Sequence, residues 1–224
     1  MTRPTLFLAV ILTMVTGPLL ARAGNFYAGA LGGIATLSAD GRSILTPSSG
    51  QVSLYKPENG TAMNLFAGWD FSDYVSVQGN YIWNRNDLTL VSTSFSPKET
   101  AAYQEFRKSQ QTSLIGDVLV YFRKRGSRVR PYLSGGTGFV HLGSSAGPLS
   151  DVTGSPQLPP QVFSSTDIGL RVAVGMDVRI GKGWAFRYSF SETVSHNPIS
   201  YELSPPGQRG LSNFQNLFGF VKHF

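Results

Sequence analysis

Ile168-Gly169-Leu170-Arg171-Val172-Ala173-Val174-Gly175-Met176-Asp177-Val178-Arg179-Ile180 reads as one β-strand with two chemically opposed faces. Every even position is apolar, whereas the odd positions carry glycines, an alanine and the charges Arg171, Asp177 and Arg179. Successive strand residues point to opposite sides, so a period of two sorts these groups onto separate faces, which a helix would mix. Gly181-Lys182-Gly183 follows as a tight turn in which glycine reaches positive φ. The chain then returns, with Trp184, Phe186, Tyr188 and Phe190 alternating against Ala185, Arg187, Ser189 and Ser191.

The same unit recurs upstream. Met63, Leu65, Ala67, Trp69 and Phe71 alternate with Ala62, Asn64, Phe66, Gly68 and Asp70. A short turn leads into Val75, Val77, Gly79, Tyr81 and Trp83, alternating with Ser76, Gln78, Asn80, Ile82 and Asn84. A third pair spans about 112–122 and 129–142, joined by the basic run 123–128. Here the contrast blurs, because Ile115, Leu119 and Tyr121 share a face with Asp117. A first strand near 25–38 and a last near 213–224 bring the total to eight.

The connections fall into two kinds. Those around 72–74, 123–128 and 181–183 are short; those around 39–60, 87–110, 143–164 and 194–212 are long and rich in Ser, Pro, Gly and Asn. Short and long alternate strictly, as in an up-and-down barrel whose turns lie at one end and whose loops lie at the other. The composition of the long segments predicts mobile loops, which would carry any surface recognition without naming a ligand. An apolar face turned outward is stable against lipid, and hydrocarbon offers free amides no partners, so the sheet must close. The fold class expected is all-β: an eight-stranded antiparallel up-and-down transmembrane barrel over residues 24–224.

Composition agrees. The 224 residues include no cysteine, so disulfides and thiolate metal sites are excluded, and only 14% are charged against 12% aromatic. Residues 1–23 have the form of a signal peptide: Arg3, an apolar run over 6–15 too short to span a bilayer as a helix, and an Ala21-Arg22-Ala23 cleavage site. Without Arg3 and Arg22 the formal charge falls from +6 to +4, too mild to predict a nucleic-acid partner. No cofactor is expected, since the three histidines are scattered.

The chain ends Phe218-Gly219-Phe220-Val221-Lys222-His223-Phe224, and its first strand opens Asn25-Phe26-Tyr27-Ala28-Gly29. In this pattern it resembles the small outer-membrane β-barrel family, which includes the transmembrane domain of outer membrane protein A. The resemblance implies the outer membrane as location, its lipids as partners, and recognition of Phe218, Phe220 and Phe224 by barrel-assembly machinery. Lys222 departs from the pattern by sharing the aromatic face, where its stem can snorkel to headgroups.

Eight strands leave an interior that side chains can fill. Asn64, Asp70, Gln78, Asn80, Asp117, Arg171, Asp177, Arg179 and Arg187 are the expected inward polar set, with Asp117, Arg171, Asp177, Arg179 and Arg187 neutralising one another as a polar plug. A gate or proton relay is the alternative use of these charges. The aromatics Trp69, Tyr74, Trp83, Tyr121, Tyr132 and Trp184 are assigned to interfacial girdles rather than to sugar stacking. The five cations of 123–130 are assigned to a turn meeting anionic headgroups. Gly135-Gly136-Thr137-Gly138 lies within a strand pattern, where glycine marks close packing.

The expected role is non-enzymatic: envelope integrity or surface contact. One enzymatic alternative is a lipid A deacylase. Arg187-Tyr188-Ser189-Phe190-Ser191-Glu192 resembles part of that family's penultimate strand, although Phe190 stands where its histidine is expected. Ser191 with His196, or His141 with Ser144 or Ser145, are the remaining Ser–His combinations. A secreted lipocalin-like barrel is the third possibility, and it requires the apolar faces to point inward.

Overall fold

The computed structural model describes residues 26–38, 50–56, 58–95, 100–155, 158, 161–196 and 210–224. The signal segment expected over 1–23 lies outside them. Among the described residues nine strands form: β1 (Phe26–Ser38), β2 (Gly50–Lys56), β3 (Glu58–Asp70), β4 (Val75–Phe95), β5 (Thr100–Tyr121), β6 (Val129–Thr153), β7 (Val162–Gly181), β8 (Trp184–His196) and β9 (Gly210–His223). All neighbours pair antiparallel, and β4–β5 pairing closes β1, β3, β4, β5, β6, β7, β8 and β9 into the expected eight-membered ring. β2 is an addition, running beside the far end of β4 from Gly50↔Phe95 to Lys56↔Thr89.

The direction of the faces decides between lipid outside and ligand inside. Val172 and Met176 are 60% and 41% exposed, whereas Arg171 and Arg187 are 3% and 1% exposed. The apolar faces therefore look outward, which removes the lipocalin reading. Lys222 shares the outer face, its Nζ 5.2 Å from the Trp184 ring and 3.4 Å from the Lys182 carbonyl.

The short connections are built as their sequences require. Ser72 Oγ accepts from the amides of Tyr74 and Val75 at 3.1 and 3.0 Å, closing the β3–β4 turn. Gly183 takes φ +74° in the β7–β8 turn, and its carbonyl accepts from the His223 amide at 2.8 Å. The long segments differ from expectation. Around 87–110 the chain remains strand to Phe95 and resumes at Thr100, and around 143–164 it is strand to Thr153 and again from Val162. Ladder pairing satisfies these polar stretches, so the wall continues outward as sheet where mobile loops were expected. Within 39–60 the described residues are the strand β2 and the start of β3, while 39–49, 57 and 197–209 lie outside the described residues.

The lumen is layered. Near the short turns it holds the aromatics Tyr27, Phe66, Tyr121 and Tyr132; the middle is polar; and the far end is an apolar cluster of Leu37, Leu88, Leu90, Tyr103, Leu142 and Leu211, backed by Phe163. Tyr132 rides over Gly175, where any Cβ would meet its ring. Outward placement of the apolar face makes a direct prediction. Val174→Arg should lower stability in liposomes by about 2–4 kcal/mol if the residue lies near the bilayer midplane, read by equilibrium unfolding in urea.

Candidate functional site

The centre of the lumen is organised by a residue pair that the β7–β8 hairpin sets directly opposite one another, Asp177↔Arg187. Arg187 meets the carboxylate as a fork, Nε to Oδ1 at 2.6 Å and Nη2 to Oδ2 at 2.7 Å. Its Nη1 donates to Gln78 Oε1 at 2.7 Å and its Nη2 to the Tyr121 hydroxyl at 2.8 Å. Tyr121 in turn donates to Asp177 Oδ2 at 3.2 Å. The rings of Phe66, Tyr132 and Tyr27 lie 4.9, 5.0 and 5.6 Å from the guanidinium carbon. A buried cation is thus matched by a bidentate carboxylate, neutral acceptors and π faces, which together offset its desolvation.

A second pair, Arg171–Asp117, sits deeper along the axis. Its strands are not adjacent: Asp117 faces Gly136 on β6, and Gly136 faces Arg171 on β7. A Cβ on Gly136 would meet the Asp117 side chain and come within 2.8 Å of its Cα, so glycine leaves the gap across which the pair joins. Two amides connect the ion pairs. Gln78 Nε2 donates to Asn80 Oδ1 at 2.6 Å, and Asn80 Nδ2 donates to Asp117 Oδ2 at 3.2 Å. Arg187, Gln78, Asn80, Asp117 and Arg171 therefore form one continuous polar chain through the lumen.

Of the charges expected in this network, Arg179 lies elsewhere. It is exposed at the rim, where Nη1 and Nη2 donate to the carbonyls of Gly126 and Arg125. The β7–β8 register slips between Arg179 and Gly181, so strand parity no longer predicts its direction. Tyr121 and Tyr132, expected in the interfacial girdle, are 2% and 3% exposed and line the lumen around Arg187. Tyr121 shares parity with Asp117, which was the available signal. Missed entirely was a third buried pair, Glu105–Arg107 at 3.0 Å, with Arg107 Nε also donating to Ser144 at 3.2 Å. It lies in the segment expected as loop.

Asp70, fully buried near the turns, takes a hydrogen bond from Ser76 and lies 3.4 Å from Arg125 Nε and 3.8 Å from His223 Nδ1. Phe218, Phe220 and Phe224 face outward, with Phe220 in edge contact with Phe186 at 5.9 Å and Phe224 beside Phe26 at 5.6 Å.

Ser191 and His141 are not brought together, whereas His141, Ser144 and Ser145 line one pocket at the outer end of β6. Ser191 is buried in the lumen and donates to Gln215 Oε1 at 3.2 Å. His141 is on the outer face of β6, its Nδ1 2.8 Å from Thr166 Oγ1. Ser144 is inward and bonded to Arg107 and Ser109. His196 ends β8, opposite Gly210. Among the described residues, no three of His, Asp or Glu gather where they could hold a metal.

Removing one partner of the central pair exposes its cost. Arg187→Met should destabilise the barrel by about 3–5 kcal/mol, because Asp177 is left as an unpaired buried charge. Asp177→Asn combined with Arg187→Met should recover part of that loss, both read by urea unfolding in liposomes.

The family model for outer membrane protein beta-barrel domains matches residues 6–213. Among solved structures, the Neisserial surface protein A shares 14% identity and a TM-score of 0.54, the match covering 89% of this chain and 97% of that one. The outer membrane protein OprG from Pseudomonas aeruginosa gives 14% identity and a TM-score of 0.49, over 91% and 97% of the two chains. Ail, the attachment invasion locus protein of Yersinia pestis, gives 12% and 0.45 over 90% and 99%. No curated protein sequence matches the chain.

Proposed function

Because the chain belongs to the outer membrane protein β-barrel domain family, we propose that it acts in the outer membrane as a sealed, non-catalytic barrel. Its contribution is structural, and its sheet-walled outer end is a surface for contact. One observation carries this reading: the lumen is filled along its length by the chain from Arg187 to Arg171 and, beyond it, by the apolar cluster around Leu88 and Leu90. A filled lumen supports neither diffusion of solutes nor a catalytic water. The placement of Ser191 inside and His141 outside argues against a hydrolytic pair between them. The export signal over 1–23 and the assembly role of Phe218, Phe220 and Phe224 belong to the same proposal.

Two measurements test it. In planar bilayers the purified protein should give no stable single-channel steps, and sustained conductance would overturn the sealed lumen. Lipid A from overexpressing cells should keep all its acyl chains by mass spectrometry; loss that depends on Ser191 or His141 would establish the deacylase instead. The absence of cysteine gives a clean check of orientation. Ser155→Cys, beyond the end of β6, should react with an impermeant maleimide on intact cells, and Lys124→Cys should react only after the outer membrane is opened.

A further inference from the structure

At the end bearing the short turns, the segment 122–128 and the turn 182–183 enclose a pocket of about 310 Å³ whose wall includes Arg125, Arg130, Arg179, Lys182, Trp184 and Asp177. Four of these six are cations. The one acid, Asp177, is already engaged: Arg187 binds both of its oxygens and Tyr121 donates to one. Arg125 is paired with Asp70. Among the described residues, Arg130, Arg179 and Lys182 have no carboxylate within ion-pair distance.

Arg130 is the telling member. It is 4% exposed, its guanidinium lies 3.7 Å over the Tyr121 ring, and one Nη donates to the Asp73 carbonyl at 3.0 Å. Its Nε is buried and donates to nothing. A guanidinium held this rigidly, with a buried donor unused, leaves a desolvation cost that an oxyanion in the pocket would offset. Arg179 is held in place by the Arg125 and Gly126 carbonyls, which carry no charge to neutralise it.

We propose that this pocket binds the phosphate of an anionic glycerophospholipid in the inner leaflet, with Arg130 and Arg179 as its principal contacts. A lipid is favoured over a soluble anion by the surroundings. Trp184, 48% exposed on the lipid-facing side of β8, forms part of the wall, and Lys222 lies over its ring at the same level. The pocket thus borders the headgroup layer. Its volume leaves room beside the phosphate for the glycerol to which a lipid phosphate is attached.

The test is native mass spectrometry of the full chain in detergent micelles, titrated with phosphatidylglycerol, with zwitterionic phosphatidylcholine, and with inorganic phosphate. One phosphatidylglycerol should be retained in preference to phosphatidylcholine, and Arg130→Gln should weaken its retention about fivefold. Arg179→Gln, at an exposed position on the rim of the pocket, should weaken it in the same direction. It serves as the deciding variant if Arg130→Gln loses the gel-mobility shift of the folded barrel. Equal retention of phosphatidylglycerol by Arg179→Gln and the wild type overturns the proposal. So does displacement of the lipid by an equal concentration of inorganic phosphate, which would make the ligand a soluble anion.

Discussion

Hydrocarbon offers no hydrogen-bond partner to a backbone amide, and the rest of this structure follows from that single deficit. The ladder must close, and β4–β5 pairing, unbroken from Val75↔Val120 to Phe95↔Thr100, is the seam that closes it. Closure turns one face of every strand to lipid and the other into a narrow lumen. Apolar residues on the outside then need no further arrangement. The inward residues must satisfy one another within the width of eight strands, and the specific chemistry of the chain is concentrated there.

Charges in such a lumen cost more than apolar side chains of the same volume unless each finds a partner, so their value lies in specificity. The chain from Arg187 through Gln78 and Asn80 to Asp117 and Arg171 joins β8, β4, β5 and β7 across the lumen. A slip of one residue in any of these strands would turn its member of the chain into lipid and its apolar neighbour inward. The network therefore works as a register lock. Gly136 and Gly175 serve the same end by leaving gaps that only one alignment can fill, the first with the Asp117–Arg171 pair and the second with the Tyr132 ring.

This division explains which parts were legible in the sequence. The β7–β8 hairpin could be read residue by residue because its two faces meet solvents of opposite polarity. In β5 the contrast fades, since Ile115, Leu119 and Tyr121 point inward beside Asp117, and a filled lumen accepts apolar groups as readily as polar ones. Beyond the lipid layer the contrast vanishes. Strands there meet water outside and, inside, the cluster of Leu88, Leu90 and Tyr103, so 87–110 has the composition of a loop although its described residues 87–95 and 100–110 pair as sheet. The partners of Arg187 were out of reach for another reason. Gln78 is 109 residues away, and only the closed ring brings them together. Arg179 shows where parity fails: a single irregularity before the turn redirects its side chain to the rim.

The two ends of the barrel differ in charge, and this bears on how the chain can be oriented. The segment 123–130 carries five cations in eight residues and no acid, whereas at the opposite end 87–110 carries three acids against three bases and 143–164 carries Asp151 alone. Carrying a guanidinium through hydrocarbon is expensive, and a run of them more so. A barrel assembled from the periplasm must pass one end through the bilayer and can leave the other behind. In the proposed orientation, Arg107 and Glu105 lie on the outgoing side, buried as a pair without net charge. In the proposed orientation, Arg130 and Arg179, which have no carboxylate within ion-pair distance among the described residues, lie at the end that does not cross.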